Sequence, residues 1–138
     1  MTVEHPILAI DHGGARIGLA ATDDLAIAAH PAGTVYLEQE EPIAKIGEVI
    51  KARRVKTLLL GLPLRLDGSE GESAQKVRAF GQELTEAFPD LPLHYQDETY
   101  TTTDAAAKLR LSGKKAKQQK DIIDQAAALE ILQRYLNW

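Results

Sequence analysis

Residues Ile7–Thr22 read ILAIDHGGARIGLAAT. Ile7–Asp11 is a short apolar run ending in an acid, the pattern of a buried strand. His12-Gly13-Gly14 is a turn signal, and Arg16–Thr22 (RIGLAAT) is a second strand-like run. Together they predict a tight antiparallel hairpin with Asp11 at the end of its first strand.

Beyond this hairpin, a third strand is expected over about Ala28–Leu37, with an irregular start marked by Pro31 and Gly33. Glu41–Arg54 places Ile43, Ile46, Val49 and Ile50 at helical spacing. Thr57–Leu60 (TLLL) reads as a buried strand, followed by a turn-rich loop over Gly61–Gly71 with Ser69 as the expected cap of the next helix. That helix runs from about Glu72 to Phe88, with Val77, Phe80, Leu84 and Phe88 on one face and Pro89 and Pro92 ending it. Leu93–Gln96 is a short strand, Thr101–Leu111 a helix, and Ser112–Gln119 a polar lysine-rich loop. A last helix is expected over about Asp121–Leu136, with Ile122, Ala126, Leu129, Leu132 and Leu136 near one face.

The order β-β-β-α-β-α-β-α-α gives a meander followed by right-handed parallel crossovers. The expected fold is therefore α/β and RNase H-like: a mixed five-stranded sheet with helices on both faces. No internal repeat or linker interrupts residues 1–138, so one domain is expected at this length.

Composition narrows the function. Cysteine is absent, which excludes thiolate metal sites and disulfides. The N-terminal residues lack the basic start and long apolar run of a secretory signal. No apolar stretch approaches the roughly 18 residues of a membrane span. A cytoplasmic protein without a membrane partner is expected. The net charge of −4 argues mildly against a nucleic-acid partner, but the charge is unevenly spread. Lys108, Arg110, Lys114, Lys115, Lys117 and Lys120 follow one another with no acid among them. Such a segment could clamp a nucleic-acid backbone, or be no more than a solvated helix end and loop.

Three acids stand out by position: Asp11 ending the first strand, Glu98 directly after the fifth, and Asp124 early in the final helix. With the first and fourth strands central, the ends of strands one and five come near each other, and a helix crossing there can add a third carboxylate. Hard cations such as Mg²⁺ or Mn²⁺ take oxygen ligands. Two such ions about 4 Å apart can hold both the attacking and the leaving oxygen of a phosphodiester. Each acid also has a structural alternative. Asp11 could cap the Gly13-Gly14 turn, Glu98 could cap the following helix, and Asp121 and Asp124 could complement a helix dipole. Asp124 lies among Ile122, Ile123, Ala126, Ala127 and Ala128, so its carboxylate sits beside an apolar surface and needs a partner or a metal. His5, His12, His30 and His94 show no ligand spacing, and the Gly61–Gly71 loop lacks the P-loop pattern.

Four blocks carry a family resemblance. They are Ala9-Ile10-Asp11-His12-Gly13 with Arg16-Ile17-Gly18-Leu19-Ala20 and Thr22-Asp23; Gly61-Leu62-Pro63-Leu64 with Asp67-Gly68-Ser69-Glu70-Gly71; Asp97-Glu98 with Thr101-Thr102; and Asp124 with Ala126-Ala127-Ala128 and Ile131-Leu132-Gln133-Arg134-Tyr135-Leu136. In this order, over essentially the whole chain, they resemble the YqgF/RuvX family, described as Holliday junction resolvases and as nucleases maturing precursor ribosomal RNA of the small subunit. The resemblance implies an RNase H-like nuclease with Asp11, Glu98 and Asp124 as catalytic metal ligands and Mg²⁺ or Mn²⁺ as cofactor. It implies a nucleic-acid partner, RNA or branched or single-stranded DNA. A junction substrate would call for a two-fold homodimer. Arg16, Arg65, Lys114, Lys115, Lys117 and Lys120 are the expected substrate contacts. Two positions depart from the family pattern: Ala15 stands where Lys is usual, and Thr99 where Arg is usual. Both remove a cation, so phosphate affinity rather than metal chemistry is what they put in question.

Two other readings compete. A non-catalytic nucleic-acid-binding module of the same fold would be favoured by missing acids, and none is missing. An actin-like or sugar-kinase ATPase also begins with a strand, D-x-G and a hairpin, but it needs two such lobes.

Overall fold

The structure is a computed structural model, and it describes residues 3–99 and 116–138. Among these, β1 (Ile7–His12), β2 (Arg16–Thr22), β3 (Ala29–Tyr36), β4 (Thr57–Leu64) and β5 (Leu93–Thr99) form one sheet in the order β3-β2-β1-β4-β5. The first three strands pair antiparallel, while β1–β4 and β4–β5 are parallel. Helices α1 (Pro42–Arg53), α2 (Glu72–Ala87) and α3 (Ala116–Leu136) complete the described elements. This strand order, with β2 alone opposing both its neighbours, is that of the RNase H-like fold.

Alternation along the strands divides the apolar residues between two faces. Leu8, Ile10, Ile17, Leu19, Leu58 and Leu60 pack with Ile46 of α1 and Val77, Phe80 and Leu84 of α2. Ile7, Ala9, Ala20 and Leu59 pack with Ala128, Ile131 and Leu132 of α3. Both faces are thus covered by helices, as a parallel sheet centre requires. Odd positions of β1 and β4 and even positions of β2 face α3.

The helix ends follow local chemistry. Glu41 caps α1 by accepting from the amides of Ile43 and Ala44, with Pro42 in the first turn, and Arg54 ends it in a left-handed conformation. The expected Ser69 cap of α2 is corrected: the N-cap is Gly71, without a side-chain hydrogen bond. Ser69 is instead drawn back onto Asp67, donating its amide and its hydroxyl to Oδ1 at 2.9 and 2.6 Å.

Three other boundaries differ from expectation. β4 runs on through Gly61-Leu62-Pro63-Leu64, because these residues pair with Gln96–Thr99 of β5. For the same reason β5 extends past Gln96, and Glu98 lies within the strand rather than after it. Backbone pairing carries both extensions, overriding Gly and Pro as turn signals. Helix α3 begins at Ala116, not near Asp121. Its extra turn is built of Ala, Lys and Gln, which favour helix without needing an apolar anchor. Asp124 therefore sits inside α3, well past its first turn, so the dipole explanation for it fails. The expected Thr101–Leu111 helix lies outside the described residues. Among the described residues no helix is long and apolar enough to cross a membrane.

At the β3 edge the pairing with β2 is irregular. The register shifts between Leu19 and Ala20, which face Gly33 and Pro31 respectively. The Pro31 carbonyl accepts from Arg53 Nη2 at 3.4 Å.

Candidate active site

Asp11 is the last odd residue of β1, on the face that α3 covers. Its cross-strand partner is Gly18. A Cβ on Gly18 would collide with the Asp124 carbonyl, so the glycine is what lets this turn of α3 settle against the sheet beside Asp11. Gly61 on β4 leaves room of a softer kind: a Cβ there would run into the tip of the Ile131 side chain, which can turn aside. Glu98 is paired with Pro63, on the same face as Gly61, and its Cγ lies 3.8 Å from where a Gly61 Cβ would be. Two missing side chains thus set the helix close, and three acids from β1, β5 and α3 share one cleft of about 650 Å³.

Two of these acids are balanced by arginines. Arg16 Nε donates to Asp124 Oδ2 at 2.6 Å, and Arg134 Nη1 donates to Glu98 Oε2 at 3.0 Å. The Asp124 and Glu98 side chains are only 14 and 16 % exposed. Charged groups this far from water require such compensation.

The opposite rim is the β4–α2 connection. The Arg65 amide donates to the Ser69 carbonyl, the Gly68 amide donates to the Arg65 carbonyl, and Gly68 adopts a φ of 85° that favours glycine. The Ser69 hydroxyl and amide hold the Asp67 carboxyl below the usual carboxylate range. Glu70 takes a two-pronged bond from Arg78 at 2.6 and 2.9 Å. The polar residues of this segment therefore brace the turn. Arg65 is left lying against the open face of Gly71, its Nε 2.8 Å from where a Cβ would stand. Gly71, Glu72 and Ser73, at the start of α2, also line the cleft.

Asp11, Glu98, Asp124, Arg16 and Arg65 thus come together. Lys114 and Lys115 lie outside the described residues. Lys117 and Lys120 fall in the first turns of α3, where the backbone alone is described. Sequence reasoning missed Arg134 and Glu130 as cleft residues. A signal for Arg134 existed: Asp124, Ala127, Ile131 and Arg134 follow the i, i+3, i+7, i+10 stripe of one helix face. His12, next to Asp11, points to the other side of the sheet. Its ring packs on Phe80 at 4.6 Å, and burial pushes its pKa below the ordinary histidine value.

With Asp124 and Glu98 each turned onto an arginine, no three acids or histidines among the described residues stand close enough to share one ion. The donor set nonetheless suits a hard divalent cation: it is made of carboxylate oxygens, and positive charge already lies against two of them.

The fold is RNase H-like, and the chain's family and relatives make it a hydrolase of phosphodiester bonds. The chain belongs to the RuvX family, described as Holliday junction resolvase, whose pattern matches residues 5–138. Named relatives agree. A protein of Cutibacterium acnes called "Putative pre-16S rRNA nuclease" is 43 % identical over 129 residues, covering 94 % of this chain and 80 % of its own. Proteins of the same name from Streptomyces avermitilis and Anaeromyxobacter sp. are 43 and 40 % identical, each over 131 residues and 94 % of this chain, and over 83 and 95 % of their own lengths. The solved structure of T. thermophilus RuvC in complex with a Holliday junction substrate aligns with a TM-score of 0.48 at 21 % identity, over 77 % of this chain and 72 % of that one.

Proposed function

We propose that this nuclease hydrolyses nucleic-acid phosphodiesters with Asp11, Glu98 and Asp124 holding divalent cations, and that its substrate is the precursor of 16S ribosomal RNA. The observation that supports the reading is that three carboxylates, from β1, β5 and α3, line one cleft. The relatives' name supports the RNA substrate. The family's description supports a second substrate, a four-way DNA junction.

The residues divide the work. Asp11, Glu98 and Asp124 would hold Mg²⁺ or Mn²⁺, which would supply charge at the scissile phosphate and lower the pKa of an attacking water. Asp11 lies near the end of β1, whose preceding residues are buried, and the strand carries it to the cleft. Arg16 orients Asp124. Arg65, on the braced rim, offers a guanidinium to a backbone phosphate. Lys114, Lys115, Lys117 and Lys120 add backbone contacts that carry no base information.

The test is cleavage of precursor 16S RNA, single-stranded DNA and a four-way DNA junction by purified protein in Mg²⁺ or Mn²⁺. Asp11→Asn, Glu98→Gln and Asp124→Asn should each abolish cleavage with circular dichroism unchanged. Wild-type turnover by any of the three overturns the assignment of that acid. Preference for the junction over the RNA overturns the substrate.

A further inference from the structure

Arg134 occupies an unusual place. It holds Glu98, which is 16 % exposed, through one nitrogen, while its own side chain remains 54 % exposed. It lines the cleft and also a neighbouring hollow formed with Glu130, Gln133, Asn137 and Trp138. It lies ten residues beyond Asp124 on α3, about 15 Å along the axis at 1.5 Å per residue. One nitrogen of the guanidinium thus lies on an acid of the cleft while the side chain stays half exposed.

We propose that Arg134 is a substrate-phosphate residue parked on Glu98, and that it is handed to the nucleic-acid backbone when divalent charge takes over that carboxylate. The proposal rests on reading Glu98 as a cation ligand. Its physical basis is competition for one anion. A guanidinium 3.0 Å from Glu98 stands where a divalent cation would place its own charge, and two positive charges at such range repel. The fork that fits a carboxylate fits a phosphate equally well. A half-exposed arginine can make that exchange by a rotamer change, without moving α3.

The alternative is a brace, in which Arg134 merely pins Glu98 in its ligand position. The two differ in sign. If Arg134 competes, Arg134→Gln should tighten binding of Mn²⁺ alone by roughly three- to tenfold, the worth of a partly exposed charge-assisted bond. If it braces, the same variant should bind Mn²⁺ more weakly or unchanged. The measurement is calorimetric titration of Mn²⁺ into the wild type, Arg134→Gln, Arg134→Lys and Glu98→Gln, with folding checked by circular dichroism. Cleavage supplies a second readout. Arg134→Gln should raise KM several-fold with kcat little changed, and should flatten the salt dependence of kcat/KM by about 0.7–0.9 in log–log slope, one phosphate contact. Arg134→Lys should keep the competition for Mn²⁺ and restore most of the salt slope. If Glu98→Gln leaves Mn²⁺ binding intact, Glu98 is no ligand and both readings fall. If Glu98→Gln weakens it while Arg134→Gln does not tighten it, the ligand assignment stands and the exchange is wrong.

Discussion

Arg16 and Asp124 stand 108 residues apart in the chain, yet Arg16 Nε donates to Asp124 Oδ2 at 2.6 Å. This bond ties the hairpin to α3 at the point where Asp11 and Asp124 come together. Arg16→Ala should cost about 1–3 kcal/mol in urea unfolding, because it leaves a mostly buried carboxylate without its guanidinium. Arg16→Lys should recover part of the loss, since the charge stays while the fork geometry goes. Equal stability of all three proteins would show that the pair is not a tie between the two elements.

Gly18→Ala tests whether a missing side chain sets the cleft. The added methyl would meet the Asp124 backbone, which cannot step aside as a flexible side chain could. Destabilisation of about 1–3 kcal/mol is expected, together with loss of cleavage as Asp124 moves away from Asp11. Gly14→Ala is the control: a Cβ there meets nothing within 4 Å. It should stay within about 0.5 kcal/mol of wild type. Similar behaviour of the two variants would refute the close-approach argument.

These two cases show how far the sequence could be read. The β1–β2 hairpin, the alternation of apolar residues and the three acids were legible because each depends on local pattern. Gly18 and Gly61 were visible as residues but not as spacers, because their meaning lies in Asp124 and Ile131, far away in the chain. Pro63 was read into a loop and Glu98 just past a strand because parallel pairing is non-local and can carry a strand through turn-forming residues. Arg134 was not legible as a cleft residue, because an arginine near a helix C-terminus also suits the helix dipole and only the fold brings it against Glu98.

His12 makes stability depend on pH. Burial against Phe80 lowers its pKa in the folded protein. As pH falls below the unfolded value near 6.5, the unfolded chain takes up a proton that the folded one resists, and stability declines until the folded pKa is passed. His12→Phe should therefore lose less stability between pH 7 and pH 5 than wild type does. Urea midpoints at the two pH values measure it; parallel losses would mean that His12 contributes nothing to the acid sensitivity.

Ala15 lines the cleft in the hairpin turn. If that turn approaches the nucleic-acid backbone, Ala15→Lys should tighten binding and steepen its salt dependence by about 0.7–0.9 in log–log slope. Titration of fluorescent single-stranded RNA at several salt concentrations decides this. An unchanged slope would place the turn away from the phosphates.

The irregular edge at β3 has a consequence for self-association. Proline brings no N–H, and the carbonyl of Pro31 is already engaged by Arg53 of α1. An incoming strand would therefore find neither a donor nor an open acceptor at that residue, and the bulge beside it twists the border out of line. Strand-to-strand stacking of copies is therefore disfavoured at this point of the border. A second copy arriving to cut the opposite strand of a junction would find this stretch of β3 a poor template for strand pairing.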